Sequence, residues 1–308
     1  MSKKRIGDVV GKSLSWLASS LTIVACLGII VYLFAKGHSQ IDLGFLIYEP
    51  GATRDSLKSG ISTPVIGTLI LTAIGTVLSF PWALGTAIYL SEYARKNYLT
   101  EFFRLGIDVL SGVPTIVIAI FGLAIFSNPA FGFLSSMVES AEGPNKAFGR
   151  SFLVSGITMA IMILPFVMKT CEEAIKSVPE TYREASLAMG ASKWYTIIKV
   201  IIPSAKNGII TGIILGMGRI IGDTAIVWLT LGGTIRMTGV QPWWSPNNWV
   251  STLKNTGSTL TSYIYFMSPA GEGNAVDKAF GAAFVLIVVI ILLNLLTDFF
   301  LSGRKIAE

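Results

Sequence analysis

The chain has 308 residues, of which 52% are hydrophobic and only 14% charged, and its mean hydropathy is +0.65. This composition supplies too little polar surface to coat a water-soluble globule, so it excludes a soluble domain and predicts a membrane protein. The net charge of +6 is consistent with basic residues that face anionic lipid, and it gives no argument for a nucleic-acid partner.

Six apolar segments are long enough to cross roughly 30 Å of hydrocarbon as helices, if Arg219 and Asp223 are tolerated within one of them. These segments cover residues 14–35, 65–91, 109–127, 151–168, 207–235 and 279–297. The sequence therefore predicts an all-α integral membrane protein with six transmembrane helices. We expect a single transmembrane domain over 1–308, with a peripheral first helix (14–35) and a core at 60–297.

A basic stretch, MSKKR, precedes the first segment, so a cleavable signal peptide is the alternative interpretation of residues 14–35. The segment is too long for the apolar region of a signal peptide, and the following FAKGHSQ lacks a small-x-small cleavage pattern. We therefore predict a helix that is retained.

The Lys and Arg residues predict the orientation. Fifteen of the 24 lie at the two termini, in the second-to-third connection and in the fourth-to-fifth connection, whereas eight lie on the opposite side. Because basic residues are enriched on the cytoplasmic side, both termini are expected to be cytoplasmic. Residues 236–278 then form an extracytoplasmic loop. Its PWWSPNNW stretch is expected to anchor the outer membrane interface, with contact to another protein as the alternative.

Several residues near the middle segments have a structural interpretation. Asp108 is predicted to be an acidic residue in the first turn of the third helix, where the helix dipole favours it. Pro81, Pro114 and Pro165 are predicted to kink their helices, and Pro114 is expected to release backbone groups from hydrogen bonding.

The sequence contains no recognisable enzyme chemistry. No G-x-x-x-x-G-K-[ST] phosphate-binding loop occurs, so the chain is not expected to bind ATP itself. Neither a nucleophile with its base nor a metal-ligand cluster is apparent, and His38 is the only histidine. Cys26 and Cys171 lie at different predicted depths and are not expected to pair. A self-sufficient secondary transporter is a further alternative, but the internal repeat typical of that class is not apparent.

Residues 177–203, between the fourth and fifth segments, form the most informative polar stretch. Ser177 and Glu180 have the spacing of a capping box, which predicts that a helix begins there, and Gly190 can end it in the left-handed conformation. The polar side of this helix is predicted to carry three residues: Glu180, Arg183 and Glu184. Apolar residues then recur at helical spacing up to Pro203. Periodicity alone favours an amphipathic connector that lies on the bilayer.

Residues 184–203, EASLAMGASKWYTIIKVIIP, resemble the EAA motif of ATP-binding-cassette importer permeases. The motif positions are occupied by Glu184, Ala185, Ser186, Gly190, Val200, Ile202 and Pro203. In that family the first helix of the motif docks in a groove of the ATPase subunit. The resemblance therefore implies that Glu184, Ala185, Ser186 and Gly190 take part in coupling to an ATPase.

Four stretches resemble the A-type membrane subunit of the phosphate-specific (Pst) importer. They are AIYLSEYARKN (87–97), IDVLSGVPTIVIAIFGLAIF (107–126), ILPFVMKTCEEAIKSVPETYREASLAMGASKW (163–194) and GRIIGDTA (218–225). That family usually has Glu where this chain has Asp223. The resemblance implies a type I importer permease in a prokaryotic inner membrane. It also implies a C-type permease partner, two copies of a cytoplasmic ATPase that bind ATP and Mg, and an extracytoplasmic phosphate-binding protein. The alternative is a permease for another oxyanion, such as molybdate or sulfate.

Arg219 and Asp223 lie inside the fifth segment. On a continuous helix, five residues would fall within about 60° of one another: Gly212, Gly216, Arg219, Asp223 and Thr230. A charge at the bilayer midplane costs about 2.5 to 3.5 kcal/mol, so Arg219 needs compensation. One interpretation is an internal i, i+4 ion pair with Asp223. The other, which the resemblance favours, is that the planar Arg219 fork receives the anion in transit and Asp223 holds Arg219 between transport events. Thr224, next in the chain, belongs to the same predicted translocation site.

Overall fold

The computed structural model describes residues 3–51, 59–95, 97–138 and 146–302. Five basic residues that the orientation argument counts lie outside these ranges: Arg54, Lys58, Lys96, Arg304 and Lys305. Within the described ranges the protein is helical apart from one antiparallel pair of two-residue strands, β1 (Met137–Val138) and β2 (Lys146–Ala147). The all-helical prediction is therefore confirmed for the described chain.

The α-helices, in chain order, are α1 (Lys3–Gly37), α2 (Leu43–Ile47), α3 (Ser62–Ile88), α4 (Tyr98–Gly112), α5 (Thr115–Phe126), α6 (Phe152–Lys176), α7 (Glu180–Ala188), α8 (Lys193–Thr196), α9 (Ile202–Ser204), α10 (Lys206–Gly222), α11 (Trp249–Lys254), α12 (Leu260–Met267) and α13 (Val276–Ser302). Three π-helical turns accompany them, at Tyr89–Tyr93 after α3, Ile197–Ile201 between α8 and α9, and Val227–Leu231. Short 3-10 turns lie at His38–Gln40, Pro129–Phe131 and Pro246–Asn248.

Four helices of the described chain are long and apolar enough to cross a membrane: Val9–Gln40, Ser62–Tyr93, Phe152–Lys176 and Val276–Phe299. Two bent pairs also qualify, α4 with α5 at 100°, and Lys193–Ser204 with α10 at 67°. The count is therefore four, or six if each bent pair forms one span. The first bent pair, residues 98–126, overlaps the third predicted segment (109–127). The second, residues 193–222, overlaps only about the first half of the fifth (207–235).

The third segment was predicted as one helix over 109–127, and the structure corrects this. Helix α4 ends at Gly112, Val113 is extended at φ −69° and ψ 128°, and α5 begins after Pro114. Proline has no N–H to donate and excludes the preceding residue from the helical region, so the chain turns instead of kinking. Asp108 consequently lies near the end of α4 and not in a first turn.

The fourth segment continues beyond residue 168, because α6 extends to Lys176. Ser177 ends this helix, and its hydroxyl donates to the Ala174 carbonyl at 2.8 Å. The capping box predicted from Ser177 and Glu180 is therefore wrong. Pro179 occupies the position before α7 instead, where its missing N–H costs no hydrogen bond.

Helix α6 lies at the centre of the bundle and packs against α3 and α10. The close approach of α10 to α6 depends on glycines of α10. A β-carbon on Gly216 of α10 would lie 2.7 Å from Val167, and one on Gly208 would lie 2.5 Å from Ala174, both on α6. The regular glycine spacing on α10 therefore brings another helix of the same chain close.

The peripheral position of α1 follows from its contacts, which lie near its end. Tyr32 and Phe34 pack on Phe280 and Phe284 of α13, with ring centroids 5.7 and 5.1 Å apart. Most of the remaining described side chains of α1 are exposed.

At the same end of the bundle, α12 begins with a capping box between Thr259 and Ser262, and the Leu260 amide donates to Thr68 of α3 at 2.9 Å. The start of α12, within the 236–278 segment, is therefore packed on the bundle.

Candidate functional site

The helix predicted over 207–235 is broken in the middle. Helix α10 ends at Gly222, and Asp223 is extended, with φ −80° and ψ 128°. The chain is helical again over 225–231 and stops at Gly232, whose φ of +104° favours glycine. The sequence had indicated that Arg219 and Asp223 are i, i+4 neighbours on a continuous helix. The break shows that they are not.

The Asp223 carboxylate caps the second half of the broken helix. Its Oδ1 accepts a hydrogen bond from the Ile226 amide at 2.8 Å, and the Ala225 amide and the Thr115 hydroxyl are its other polar neighbours. Aspartate is favoured before a helix because it accepts from amides that have no partner within the helix. Asp223 thus stabilises the break itself, and Thr115 brings the first residue of α5 to the same point.

Arg219 lies in the last turn of α10 and is exposed at the surface of the chain. Its guanidinium carbon lies 5.9 Å from the centre of the Phe166 ring on α6, a cation–π distance. Among the described residues, no carboxylate oxygen lies within 4 Å of the Arg219 guanidinium. A direct ion pair with Asp223 is therefore not formed.

The helix ends explain how both charges are accommodated. Arg219 lies at the C-terminal end of α10, where the helix dipole favours a cation. Asp223 precedes the N-terminus of residues 225–231, where exposed amides favour an anion. Thr224 lies in the break, where its carbonyl accepts from the Trp228 amide at 2.9 Å. Thr230 is not part of the arrangement, because it is buried and donates to the Ile226 carbonyl.

The second candidate region is the segment from α7 to α9. Gly190 follows α7 with a φ of +82°, the left-handed conformation predicted for it. Ser192 then caps α8 by accepting from the Tyr195 amide at 3.2 Å. The helix, turn and second helix that the sequence predicted over residues 177–203 are therefore present, but the first helix begins at Glu180 and not at Ser177.

Arg183 anchors α7 to the bundle. Its Nε and Nη2 donate to Glu92 Oε1 at 3.1 and 2.9 Å, and its Nη1 donates to the Val178 carbonyl at 2.7 Å. Nη2 also donates to the Ile175 carbonyl at 3.0 Å. The side chains of Arg183 and Glu92 are only 13% and 7% exposed, so the pair is largely withdrawn from solvent. The sequence placed Arg183 on the outer polar side of α7, and the structure corrects this.

The predicted coupling residues lie on α7 and in the turn that follows it. Glu184 and Ala185 are exposed, whereas Ser186 is half-buried and its Oγ lies 2.9 Å from Thr196 Oγ1 on α8. An open groove of about 710 Å³ lies between the two helices, and its walls include Tyr182, Ala185, Ser186, Met189, Gly190 and Tyr195. The Met189 side chain is 87% exposed beside it. This exposed apolar surface is suited to protein contact.

Comparison with known proteins now identifies the family. Residues 80–302 match the family described as "Binding-protein-dependent transport system inner membrane component". The chain belongs to this family. It is a membrane permease subunit of the ATP-binding-cassette importer class.

Several curated relatives agree with this assignment. A probable ABC transporter permease of Bacillus subtilis, YqgI, is 29% identical over 295 residues, which are 95% of this chain and 94% of that protein. The phosphate transport system permease protein PstA 1 of Mycobacterium tuberculosis is 31% identical over 80% of this chain and 71% of that protein. A PstA homologue of Mycoplasma pneumoniae is 32% identical, but this chain spans only 38% of its length.

Solved structures show the same fold at low identity. A bacterial ABC transporter that imports the polysaccharide alginate contains a chain with a TM-score of 0.58 and 16% identity, over 98% of this chain and 99% of that one. A chain of the MetNI methionine transporter has a TM-score of 0.57 and 16% identity, over 78% of this chain and 94% of that one. These likenesses establish the importer permease fold.

Sequence reasoning missed Glu92, Thr115 and Phe166 as neighbours of the predicted site residues. Glu92 carried a usable signal, because it is an acid at the end of an apolar segment and Arg183 follows another such segment. Thr115 was detectable as the first helical residue after Pro114. Phe166 had no such signal, since its ring is one of many aromatic groups in the predicted helices.

Proposed function

We propose that this chain is a membrane-spanning subunit of an ATP-driven importer of inorganic phosphate. It forms the translocation path together with a sister permease of the C type. Arg219, Asp223 and Thr224 form the anion site on its side of the path. The chain holds no cofactor of its own, since ATP and Mg are bound by the partner ATPase.

The observation that carries this proposal is the position of Arg219. Its guanidinium lies next to a break in the helix, is exposed from the chain and has no carboxylate within 4 Å among the described residues. A cation in a membrane bundle either pairs with an anion or lines a water-filled path. A planar guanidinium that offers several N–H donors is suited to the oxygens of phosphate.

Asp223 supports the release of the anion. Its carboxylate lies near enough to Arg219 to interact electrostatically, but the capping hydrogen bond to Ile226 holds it away from a direct pair. An anion that binds Arg219 is repelled by this carboxylate, which keeps the site from becoming a trap. The neighbouring charge therefore favours passage over tight binding.

Coupling to ATP hydrolysis is assigned to the α7 segment. Ala185, Ser186 and Gly190 line the groove and Glu184 is exposed on α7, so they are available for contact with an ATPase. Arg183 and Glu92 join α7 to the turn that extends α3. Movement of a docked ATPase is thereby transmitted to a long helix of the bundle.

The assembly that follows has one copy of this chain, one C-type permease, two cytoplasmic ATPase copies and an extracytoplasmic phosphate-binding protein. We infer six spans in a prokaryotic inner membrane, with both termini and α7 on the cytoplasmic side. The relatives named PstA support phosphate as the substrate, and the YqgI match supports the permease role.

The test is uptake by the complex that copurifies with a tagged chain in mild detergent. After reconstitution into liposomes with the loaded binding protein, labelled phosphate is expected to enter on addition of ATP. Unlabelled sulfate and molybdate at equal concentration should leave this uptake unchanged. Transport of labelled sulfate or molybdate in place of phosphate would assign the chain to the alternative oxyanion class. Copurification without any ATPase subunit would refute the coupling role.

A further inference from the structure

We propose that Lys169 forms a second anion-binding position, which receives the oxyanion after it leaves Arg219. The inference rests on the proposed function of Arg219, and it adds a binding residue further along the same path. The ligand class is a phosphate-like oxyanion. Lys169 lies on α6, seven residues before its end at Lys176, which is the end joined to α7.

Lys169 is held by residues of α4. Its Nζ lies 2.6 Å from Asp108 Oδ1 and donates a hydrogen bond to the Ser111 hydroxyl at 3.2 Å. The side chains of Lys169 and Asp108 are 40% and 62% exposed. The ammonium group is thus accessible, with a carboxylate that an incoming anion can displace.

An exposed ion pair within a membrane helix is unfavourable if it faces lipid. The charge count assigned Lys169 to the cytoplasmic connection, but the structure places it within the apolar helix Phe152–Lys176, so its charge must face either protein or a water-filled space. Since the pair is exposed at the surface of this chain, the proposal assigns it to a water-filled path. Arg219 is exposed from the same helix bundle in the same way.

Packing of α4 on α6 does not require the Lys169 pair. Arg104 of α4 lies 2.7 Å from Glu172 of α6, whose side chain is only 7% exposed, and Lys176 lies 2.7 Å from the same carboxylate. The contact of Arg104 with the buried Glu172 carboxylate already joins the two helices. An exposed ion pair adds only about 0 to 1 kcal/mol, so Asp108 and Lys169 contribute little to holding α4 in place.

Two sets of contacts connect Lys169 with the Arg219 site. Phe166, which the Arg219 guanidinium faces at 5.9 Å, lies three residues before Lys169, so both are on one side of α6. The bend between α4 and α5 also connects the two sites, because residues on either side of it contact one site each. Ser111 before the bend bonds Lys169, and Thr115 after it lies beside Asp223.

The arrangement provides two cations in succession, each with a carboxylate nearby. An anion that leaves Arg219 moves about one helical turn along α6 to Lys169, where it competes with Asp108 for the ammonium group. The recovery of the Lys169–Asp108 pair then favours release toward the α7 end. Each cation is thereby available again for the next anion.

The experiment measures labelled phosphate uptake by the full reconstituted complex. Lys169→Gln is expected to lower the maximal rate by about tenfold, the effect of losing one charge-assisted contact, while half-saturation by the loaded binding protein is unchanged. Lys169→Arg should keep most of the rate because it retains the charge. Lys12→Gln is the control, since Lys12 is an exposed lysine of the peripheral helix α1, and it should transport at the wild-type rate.

The double variant Lys169→Gln/Asp108→Asn separates the two roles of the pair. If the pair only joins helices, neutralising both partners restores wild-type uptake, and that result would overturn the proposal. Under the proposal the double variant assembles normally and remains about tenfold slow. Arg219→Gln, measured in parallel, separates this inference from the proposed function. Wild-type uptake by Arg219→Gln refutes the phosphate site itself, whereas loss in Arg219→Gln with full activity in Lys169→Gln refutes only the second position.

Discussion

Arg183 and Arg219 show two ways in which a membrane protein accommodates a cation. Arg183 is largely buried and donates to Glu92 and to two backbone carbonyls. Arg219 is exposed beside a helix break, with the Phe166 ring as its neighbour. The saturated arginine fixes the position of a helix, whereas the arginine with remaining donors is suited to a transient ligand. Hydrogen-bond saturation thus distinguishes two residues that composition treats alike.

The largest effect on stability is expected when Arg183, which anchors α7, is removed. Arg183→Ala would leave Glu92 buried without its counter-charge, and we expect a loss of about 3 to 5 kcal/mol in the free energy of unfolding. Thermal unfolding in detergent and the yield of copurified ATPase measure this loss. Glu180→Ala is the control, because Glu180 also contacts Arg183 but its side chain is 73% exposed. This variant should lower the free energy of unfolding by only about 0 to 1 kcal/mol.

The same pair can be tested by removing both charges. In the double variant Glu92→Leu/Arg183→Leu, no buried charge is left unpaired, so much of the lost stability should return. A double variant as unstable as Arg183→Ala would show that the carbonyl contacts of Arg183, and not Glu92, position α7. That result would weaken the contrast between the two arginines.

A smaller effect is expected at the turn after α7. Gly190 has a φ of +82°, and a β-carbon there would meet no atom within 4 Å, so any penalty comes from backbone strain alone. Gly190→Val should cost roughly 1 to 2 kcal/mol and lower the stimulation of ATP hydrolysis by the loaded binding protein. Gly85→Ala, in open space on the helix α3, is the control and should retain full stimulation. Equal ATPase stimulation in both variants would argue against a docking role for this turn.

The smallest effect is expected at Thr115. Thr115→Val removes one polar neighbour of the Asp223 carboxylate but leaves its bond to the Ile226 amide. The expected change in stability is about 0.5 to 1.5 kcal/mol, with phosphate uptake lowered less than in any Arg219 variant. A loss of uptake as large as that of Arg219→Gln would move Thr115 into the anion site itself.

Local sequence signals predicted some elements well and others poorly. The left-handed turn at Gly190 and the helix before it followed from one glycine and its neighbours. The broken helix at Asp223 was missed because hydropathy continues unchanged through the break. The GDTA stretch nevertheless contains the helix-start signal of an acid before a helix.

Long-range pairs explain the remaining differences. The inward direction of Arg183 depends on Glu92, which is 91 residues away in sequence. Helical periodicity describes only the helix that carries a residue, so it placed Arg183 on the outside with Glu180 and Glu184. The extension of α6 to Lys176 was likewise concealed, because Lys169 ends the apolar run. Its pairing with Asp108, and that of Glu172 with Arg104, join residues that are far apart in the sequence.

The most direct test of the central claim, that Arg219 serves the anion and not the fold, is labelled phosphate uptake by Arg219→Gln/Asp223→Asn. The amide oxygen of the introduced asparagine would still accept from the Ile226 amide, so the break is preserved while both charges are removed. The account predicts a complex of normal subunit content that moves almost no phosphate. It also predicts strongly reduced uptake for Arg219→Lys, which keeps the charge but loses the planar fork. Wild-type uptake by the doubly neutral variant would contradict the claim and leave both residues with a structural role only.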